Sequence, residues 1–595
     1  MAVSTTEAPV ERAREARGDR LWMVAAWVAV AVAVGGHVWV VRSSLAAGTP
    51  SFNFDEISSL MPGRALLGLP TPNVGGSGYF PLSAILVAPV WWFTSDPTAF
   101  YRATLVISLL LGLASIWPMA RVATRLGLTT AQSVTVAAIV LALPAHAVQA
   151  EYAIAEKPLL LVVSLTALAA VRLAERPTYG RVLLLSLGVA LTYFTHARMI
   201  TVVLAAFVWL LLFSVRHLRV GLVGLVALVV LSWAARTVAL HVILLVSPAG
   251  FLQGNGLTSV LTSLRPGVLA RTVLGQSWEQ VVSSFGLAPL GLVVAVTLAV
   301  AEVRRRAAGP ALLLLLAVGA LFAGSTIDWA QPDQLWPTTT RVRLDVWIYG
   351  RYVDPLFALV MLVALAAIVV GVRRWQLWTG AAISLAIVVA TVLWLAPQAP
   401  TGGTITPAHM PGATAWWWAL PHHAIPTGIR PTFTNDTRFW LIASVTALVP
   451  VAVLLVARRR AVLVLGLVLA LGTAGTVAAN VASTRFHDIR ARHQPLVDTL
   501  RHITAEHPDT SISYFWRCSS ERRTTPAGRN RYAWLLLPTV LGIDPRADIV
   551  IACPAHPAAA GPGAVPLADV ADVHYQAWVR PGPLQDELRA EGLLR

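Results

Sequence analysis

The chain has 595 residues, of which 56% are hydrophobic and 12% charged, with a mean hydropathy of +0.68. That composition excludes an ordinary soluble globular protein and points to a polytopic membrane protein. The formal net charge of +16 is almost all arginine, Lys157 being the sole lysine. The arginines lie in short clusters between apolar runs, which argues against a nucleic-acid partner.

Residues 1–20 are polar and mixed in charge. The apolar run 21–41 is too long for a signal-peptide core, so it reads as a retained anchor, although Ser44-Leu45-Ala46 loosely resembles a cleavage site. Further apolar runs occupy 103–120, 131–148, 158–171, 182–195, 199–215, 220–235, 287–301, 311–324, 352–372, 377–396, 439–457 and 461–481, giving about thirteen transmembrane helices. A shorter run, 79–94, contains Pro81 and Pro89 and ends in Trp91-Trp92, an interface signature.

If 79–94 is juxtamembrane or re-entrant, every arginine cluster falls on the side of Arg12, Arg14, Arg17 and Arg20. These clusters are Arg121/Arg125, Arg172/Arg176/Arg181, Arg216/Arg219, Arg304–Arg306, Arg373/Arg374 and Arg458–Arg460. The N-terminus is then cytoplasmic, in the cell membrane, and the long loops 241–284, 328–351 and 397–438 lie outside. The expected fold class is an α-helical polytopic protein with a helical module over 21–481, a first outer loop at 42–102 and a small extracytoplasmic α/β domain over 482–595. In that domain 494–507, 532–541 and 585–594 read as helices, 511–516 and 547–553 as strands, and 553–566 as a loop. Cys518 and Cys553 both lie there, where a disulfide is one option. No internal repeat, P-loop, dinucleotide fingerprint or His-Glu-x-x-His motif occurs.

The chemistry-capable residues gather at one face. Asp55-Glu56 follows the first span, ahead of an amphipathic segment at 57–67 and a Gly-rich turn at 73–78. Asp55 can serve as a general base or cap the 57–67 helix. Arg351, in Tyr349-Gly350-Arg351-Tyr352-Val353-Asp354-Pro355, can hold a phosphate or anchor at the interface, while Asp354 can cap a helix or pair with Arg351. His196 and Arg198 close another span and can face a headgroup phosphate. Glu156 and Lys157 read as a self-neutralising pair, whereas Glu151 has no neighbour in sequence and can contact an acceptor sugar or a cation. His422-His423 beside Trp416 reads as interface anchoring, since two histidines lack a full metal-ligand set.

Three stretches carry a family resemblance: Asp55-Glu56 with Gly78-Tyr79-Phe80-Pro81-Leu82, the helix 103–126 ending in Arg125-Leu126-Gly127, and Arg351-Tyr352-Val353-Asp354-Pro355. The pattern resembles the GT-C glycosyltransferases, in the branch of protein O-mannosyltransferases and the lipid A aminoarabinose transferase. It covers roughly the first 200 residues and the region around 350. The resemblance implies a polyprenyl-phosphate sugar donor, with Asp55 as catalytic base and Glu56 in support. Arg351, with Tyr352, His196 and Arg198, would meet the donor phosphate, and Glu151 would mark an acceptor or second acidic site. The absence of an Asp-x-Asp near Glu151 leaves a divalent metal unsupported. Together with the Arg-rich, Lys-poor composition, the resemblance suggests a mannose or arabinofuranose donor and an envelope glycan, lipid or protein acceptor.

Two alternatives stand beside this reading. A transporter or flippase would place its ionisable residues near mid-span, not at one mouth. A polyprenyl-diphosphate-dependent polymerase or ligase would need extra cations, which Arg341 and Arg343 could supply.

Overall fold

The computed structural model describes residues 8–51, 53–71, 79–247, 264–336, 345–399, 406–416, 437–457, 460–491, 495–514, 534, 536, 546–552, 560–568 and 576–595. The turn 73–78, Arg341, Arg343, His422, His423, Cys518, Cys553 and most of 532–541 lie outside them.

Every apolar run named above falls on helix. In chain order these helices are α1 (Ala8–Ala47), α2 (Asn53–Leu66), α3 (Leu82–Val87), α4 (Pro97–Ala114), α5 (Ile116–Arg125), α6 (Thr130–Ala142), α7 (Pro144–Ala147), α8 (Glu156–Glu175), α9 (Tyr179–Thr195), α10 (Ile200–Ser214) and α11 (Leu218–Val246). There follow α12 (Pro266–Ser283), α13 (Ala288–Arg304), α14 (Pro310–Trp329), α15 (Pro332–Leu335), α16 (Asp354–Val370), α17 (Arg374–Ala390), α18 (Pro411–Thr414), α19 (Thr437–Ala457) and α20 (Ala461–Ala491). Among the described residues nine helices are long and apolar enough to cross a membrane, or 11 if two bent pairs each count as one span. Helices α9 and α16, of 17 residues each, fall just below that length.

Helix α1 packs on α6 and α20, α9 lies between α8 and α11, and α13 lies against α14, α16 and α17. Helix α16 is the most enclosed, buried at nearly every position from Asp354 to Ala366. An all-round apolar sequence suits such a central place. The outer segment, α3 with the 3-10 turn Ala88–Trp92, is too short to span and exposes Trp92 and Phe93.

The structure departs from the sequence reading in three elements. The expected outer loop 241–284 contains helix α12, bent by 100° against α13. Arg271, Gln276, Glu279 and Gln280 break its hydropathy, but all except Arg271 are buried. The bend is made by Phe285 (φ 51°) and Gly286 (φ 76°), and a side chain at Gly286 would meet the Ala447 carbonyl at 2.9 Å. Helix α2 begins at Asn53, so Asp55 lies within its first turn and does not cap a helix starting at 57. Its charge still favours that end of the helix dipole. Finally, α20 continues unbroken to Ala491, past the expected boundary at 482.

The C-terminal region contains α21 (Pro495–Glu506), a sheet of β1 (Ile512–Tyr514), β2 (Ile549–Ala552), β3 (Val565–Pro566) and β4 (Gln576–Val579), and α22 (Pro583–Ala590). The strand order is β1-β2-β4-β3, with β1 parallel to β2 and the other pairs antiparallel. Strand β2 is buried at all four positions, and α21 turns Leu496, Val497, Leu500 and Ile503 inward at helical spacing. The apolar core of this region is continuous with that of α2 and α4. Ile549, Ile551 and Trp534 share one cluster with Ile57, Leu60 and Phe100, and Trp534 lies 6.1 Å from both Phe100 and Tyr101. The helix carrying Asp55 thus shares an apolar core with both α4 and the terminal sheet.

Candidate active site

Asp55 faces a cluster assembled from four distant stretches of chain. Tyr79 is fixed by a bridge to His196 and by the Phe80 N–H donating to the Thr195 carbonyl at 3.2 Å. Its hydroxyl donates to Asp55 Oδ2 at 3.1 Å. Arg351, only 1% exposed, donates from Nη1 to the same oxygen at 2.9 Å and from Nε to Glu156 Oε1 at 2.6 Å. Arg198 reaches Glu156 Oε1 more loosely, at 3.4 Å, and lies 4.6 Å over the Tyr352 ring. Tyr349, Tyr352 and Trp329 stack into one aromatic wall behind the two arginines.

A further pair completes the site. His409 donates or accepts at Nδ1 with Asp345 Oδ2 at 2.5 Å, and its Nε2 lies 3.9 Å from Asp55 Oδ2. Its carbonyl accepts from the N–H groups of Gly350 and Arg351, both at 3.1 Å, which ties the 407–409 turn to the arginine. Gly350 is required here because a Cβ would lie 2.1 Å from Glu279 Oε2. Glu279 is buried on α12, and Gln280 bridges it to Asp354 Oδ1 with contacts of 2.7 and 2.9 Å. Asp354 thus pairs with Gln280, and Val353 occupies the cap position of α16.

Two effects compete at Asp55. Burial alone would raise its carboxyl, but the Arg351 guanidinium outweighs it and the group is held at about 2, below the ordinary 3.8. Asp55 is therefore an anion at any physiological pH, with 17% of its side chain open to ligands. Burial, followed by the Asp328 charge, pushes the Tyr352 hydroxyl up, so it stays neutral.

The remaining expected residues differ in their surroundings. Glu56, one residue on, is fully buried and accepts from the Tyr101 hydroxyl at 2.6 Å and the Ala153 N–H at 2.8 Å. About 100° of helical turn separates it from Asp55, so it braces α2 against α4 and does not reach the site. Glu151 is not isolated. It is fully buried and bonded by Asn480 (2.6 Å) and Ser483, partners more than 300 residues away that no local reading could find. Nor do Glu156 and Lys157 neutralise each other. Glu156 serves the arginines, whereas Lys157 Nζ binds His37 Nε2 at 2.8 Å and the His146 carbonyl at 2.5 Å.

His196 also departs from expectation. It is 2% exposed, accepts from the Arg198 N–H at 3.3 Å and packs edge-on to Tyr79 at 4.9 Å. Burial, then the Arg198 charge, holds it well below its ordinary value. Sequence reasoning missed His409 and Glu279. His409 lies in a stretch without periodicity, and Glu279 lies in what read as loop.

Below this site lies an apolar cavity of about 360 Å³. Its upper lining includes Leu356, Val163, Thr192 and Val202, and its lower end Glu302 and Arg305. The upper residues lie within about two turns along their helices of Asp354, Glu156, His196 and Arg198, about 3–10 Å of rise. Among the described residues the one His/Asp/Glu group with metal-ligand spacing is Glu506, His507 and Glu591, in the C-terminal region.

No protein-family model matches the chain, and neither does any curated sequence. By structure it is similar to ArnT from Cupriavidus metallidurans bound to undecaprenyl phosphate, at TM-score 0.47 and 15% identity over 92% of this chain and 98% of that one. It is also similar to the apo oligosaccharyltransferase of Archaeoglobus fulgidus, at TM-score 0.41 and 11% identity over 89% of this chain and 65% of that one. At such distances, what the site can do is read from its own side chains.

Proposed function

We propose that this chain is a membrane-embedded, GT-C-type inverting glycosyltransferase that moves a sugar from a polyprenyl phosphate to an envelope glycan, lipid or protein at the outer face. The observation that carries this reading is one ionised carboxylate, Asp55, 2.9 Å from a buried arginine, on a site whose neighbouring helices also line an apolar cavity. Transfer to a hydroxyl needs a base on the attacking oxygen. A phosphate leaving group needs cations in place of a general acid.

Arg351 is the switch between the two tasks. With no donor it is held by Asp55 and Glu156. A phosphate presented beside it competes for the same N–H groups, and arginine binds phosphate as readily as carboxylate, in two-pronged geometry. As Arg351 turns to the donor, Asp55 loses its strongest partner and becomes a better base. Arg198, with its 3.4 Å contact, is the looser cation and reinforces the phosphate. The apolar cavity below accommodates isoprenoid chain, and the aromatic wall offers faces on which a sugar ring can stack. Mannose or arabinofuranose is the sugar class we favour.

Transfer from a panel of radiolabelled polyprenyl-phosphate sugars tests this in detergent-solubilised full-length protein with an envelope extract as acceptor. The proposal expects turnover of at least one monophosphate donor. Turnover confined to diphosphate donors, or none together with no donor binding, would refute it.

A further inference from the structure

We propose that His409, oriented by Asp345, is the relay that carries away the proton Asp55 removes from the acceptor hydroxyl. The inference rests on the reading of Asp55 as the base. Both relay residues are buried, Asp345 fully and His409 at 5% exposure. The imidazole has little freedom, since its backbone carbonyl is bonded to Gly350 and Arg351 and its ring lies 4.8 Å from that of Tyr349.

A neutral imidazole has one N–H and one lone pair. Asp345 is an acceptor at 2.5 Å from Nδ1, so the proton resides there and the lone pair sits on Nε2, which faces Asp55. A buried carboxylate behind a histidine fixes its tautomer and stabilises the imidazolium once Nε2 is protonated. The Nε2 to Oδ2 separation of 3.9 Å is longer than a hydrogen bond, as catalytic contacts commonly are before ligand binds.

The need for a relay follows from Asp55 itself. Tied to Arg351 it has a carboxyl at about 2, and freed by the donor phosphate it returns toward the ordinary carboxylate value. In either condition a carboxylate is a weak base, and the proton it takes up has to pass on to a second acceptor. The step balances without further reagents. The acceptor oxygen bonds to the anomeric carbon, the carbon–oxygen bond to the phosphate breaks with its electron pair left on the phosphate, and the proton passes from hydroxyl to Asp55 to Nε2.

Among the described residues, five charged or titratable groups surround the ring: Asp345, Asp55, Arg351, Tyr349 and, across Gly350 and Gly412, Glu279. From the neighbouring 148–151 turn Gln149 reaches only the Ala408 carbonyl, at 2.9 Å, while Glu151 is engaged by Asn480 and Ser483.

The test is the turnover of a polyprenyl-phosphate sugar by full-length wild type, His409→Gln, Asp345→Asn and His409→Ala, from about pH 5 to about pH 9. Glutamine keeps a donor for Asp345 but cannot take up a proton. The relay expects kcat to fall roughly 100-fold in His409→Gln with KM for the donor nearly unchanged, loss of the pH inflection set by the imidazole, and partial recovery of His409→Ala by added imidazole. Unchanged kcat and pH profile in His409→Gln, with Asp55→Asn inactive, would overturn the relay and leave the transferase reading intact. A rise in KM for the donor and a fall in kcat with the wild-type inflection retained would mark His409 as structural and likewise overturn it. A wild type that binds and turns over no donor would overturn both.

Discussion

Asp55 and Glu56 are neighbours in sequence, yet they belong to two regions built on opposite principles. Around Glu56 and Glu151 the carboxylates are fully buried and accept from uncharged donors: Tyr101, the Ala153 N–H, Asn480 and Ser483. Those bonds join α1, α2, α4, the 148–151 turn and α20. Around Asp55 and Glu156 the partners are two arginines and a histidine, with the Tyr79 hydroxyl as the one uncharged donor described, and Asp55 keeps an open edge. A phosphate competes for arginines more strongly than for uncharged donors, because the bond it gains is charge-assisted. The first region is a knot and the second is a site, and one step of helical rotation separates them.

The comparison can be broken most directly on the site side. Asp55→Asn should lower turnover by about 10³-fold, within the usual range for a lost base, while donor binding and folding persist. Measured rates near wild type would remove Asp55 from the chemistry. Arg351→Ala comes next. Loss of a charged hydrogen-bonding partner is generally worth about 1.5–3 kcal/mol, so donor affinity should weaken about 10- to 100-fold in a binding titration.

On the knot side, Glu151→Ala should cost about 1–3 kcal/mol of stability, because it strands buried Asn480 and Ser483 groups. The check is a lower Tm with an unchanged KM for donor. A change in KM at constant Tm would mean that the acid belongs to the site after all. A smaller effect is expected at Gly350. A methyl group there displaces the Glu279 carboxylate, so Gly350→Ala should slow transfer about 10-fold through the shifted Arg351 turn, as read by single-turnover rates.

The subtlest prediction concerns pH. Asp55 has a folded value of about 2 against an ordinary 3.8. Its pairing therefore stabilises the free protein fully above 3.8, and that contribution fades as pH falls through 2. The kcat/KM profile, which reports free enzyme, should show no inflection from Asp55 near pH 4. The kcat profile, which reports the donor complex, should show one shifted upward, because Arg351 has turned to the phosphate. Coincident profiles would argue against that switch.

Much of this was legible in the sequence because charge in an apolar chain is costly and therefore informative. Asp55 and Arg351 stand out at membrane exits, and the structure brings them to 2.9 Å across nearly 300 residues of chain. The apolar helices followed from hydropathy alone, whereas α12 did not. What stayed hidden was pairing. The sequence places Glu156 beside Lys157, but successive helical side chains diverge by about 100°, and the two acquire different partners. Glu279 was hidden because the polar face of α12 lowers its hydropathy, although that face is buried. His409 has no periodic context at all, and only the tertiary contact with Arg351 and Asp345 reveals it.

The most direct single measurement compares Asp55→Asn with Glu56→Gln in full-length protein, recording sugar transfer, donor binding and Tm for each. The account predicts that Asp55→Asn binds donor but does not transfer its sugar, whereas Glu56→Gln transfers it with a lowered Tm. Transfer retained by Asp55→Asn and lost in a stably folded Glu56→Gln protein would contradict it.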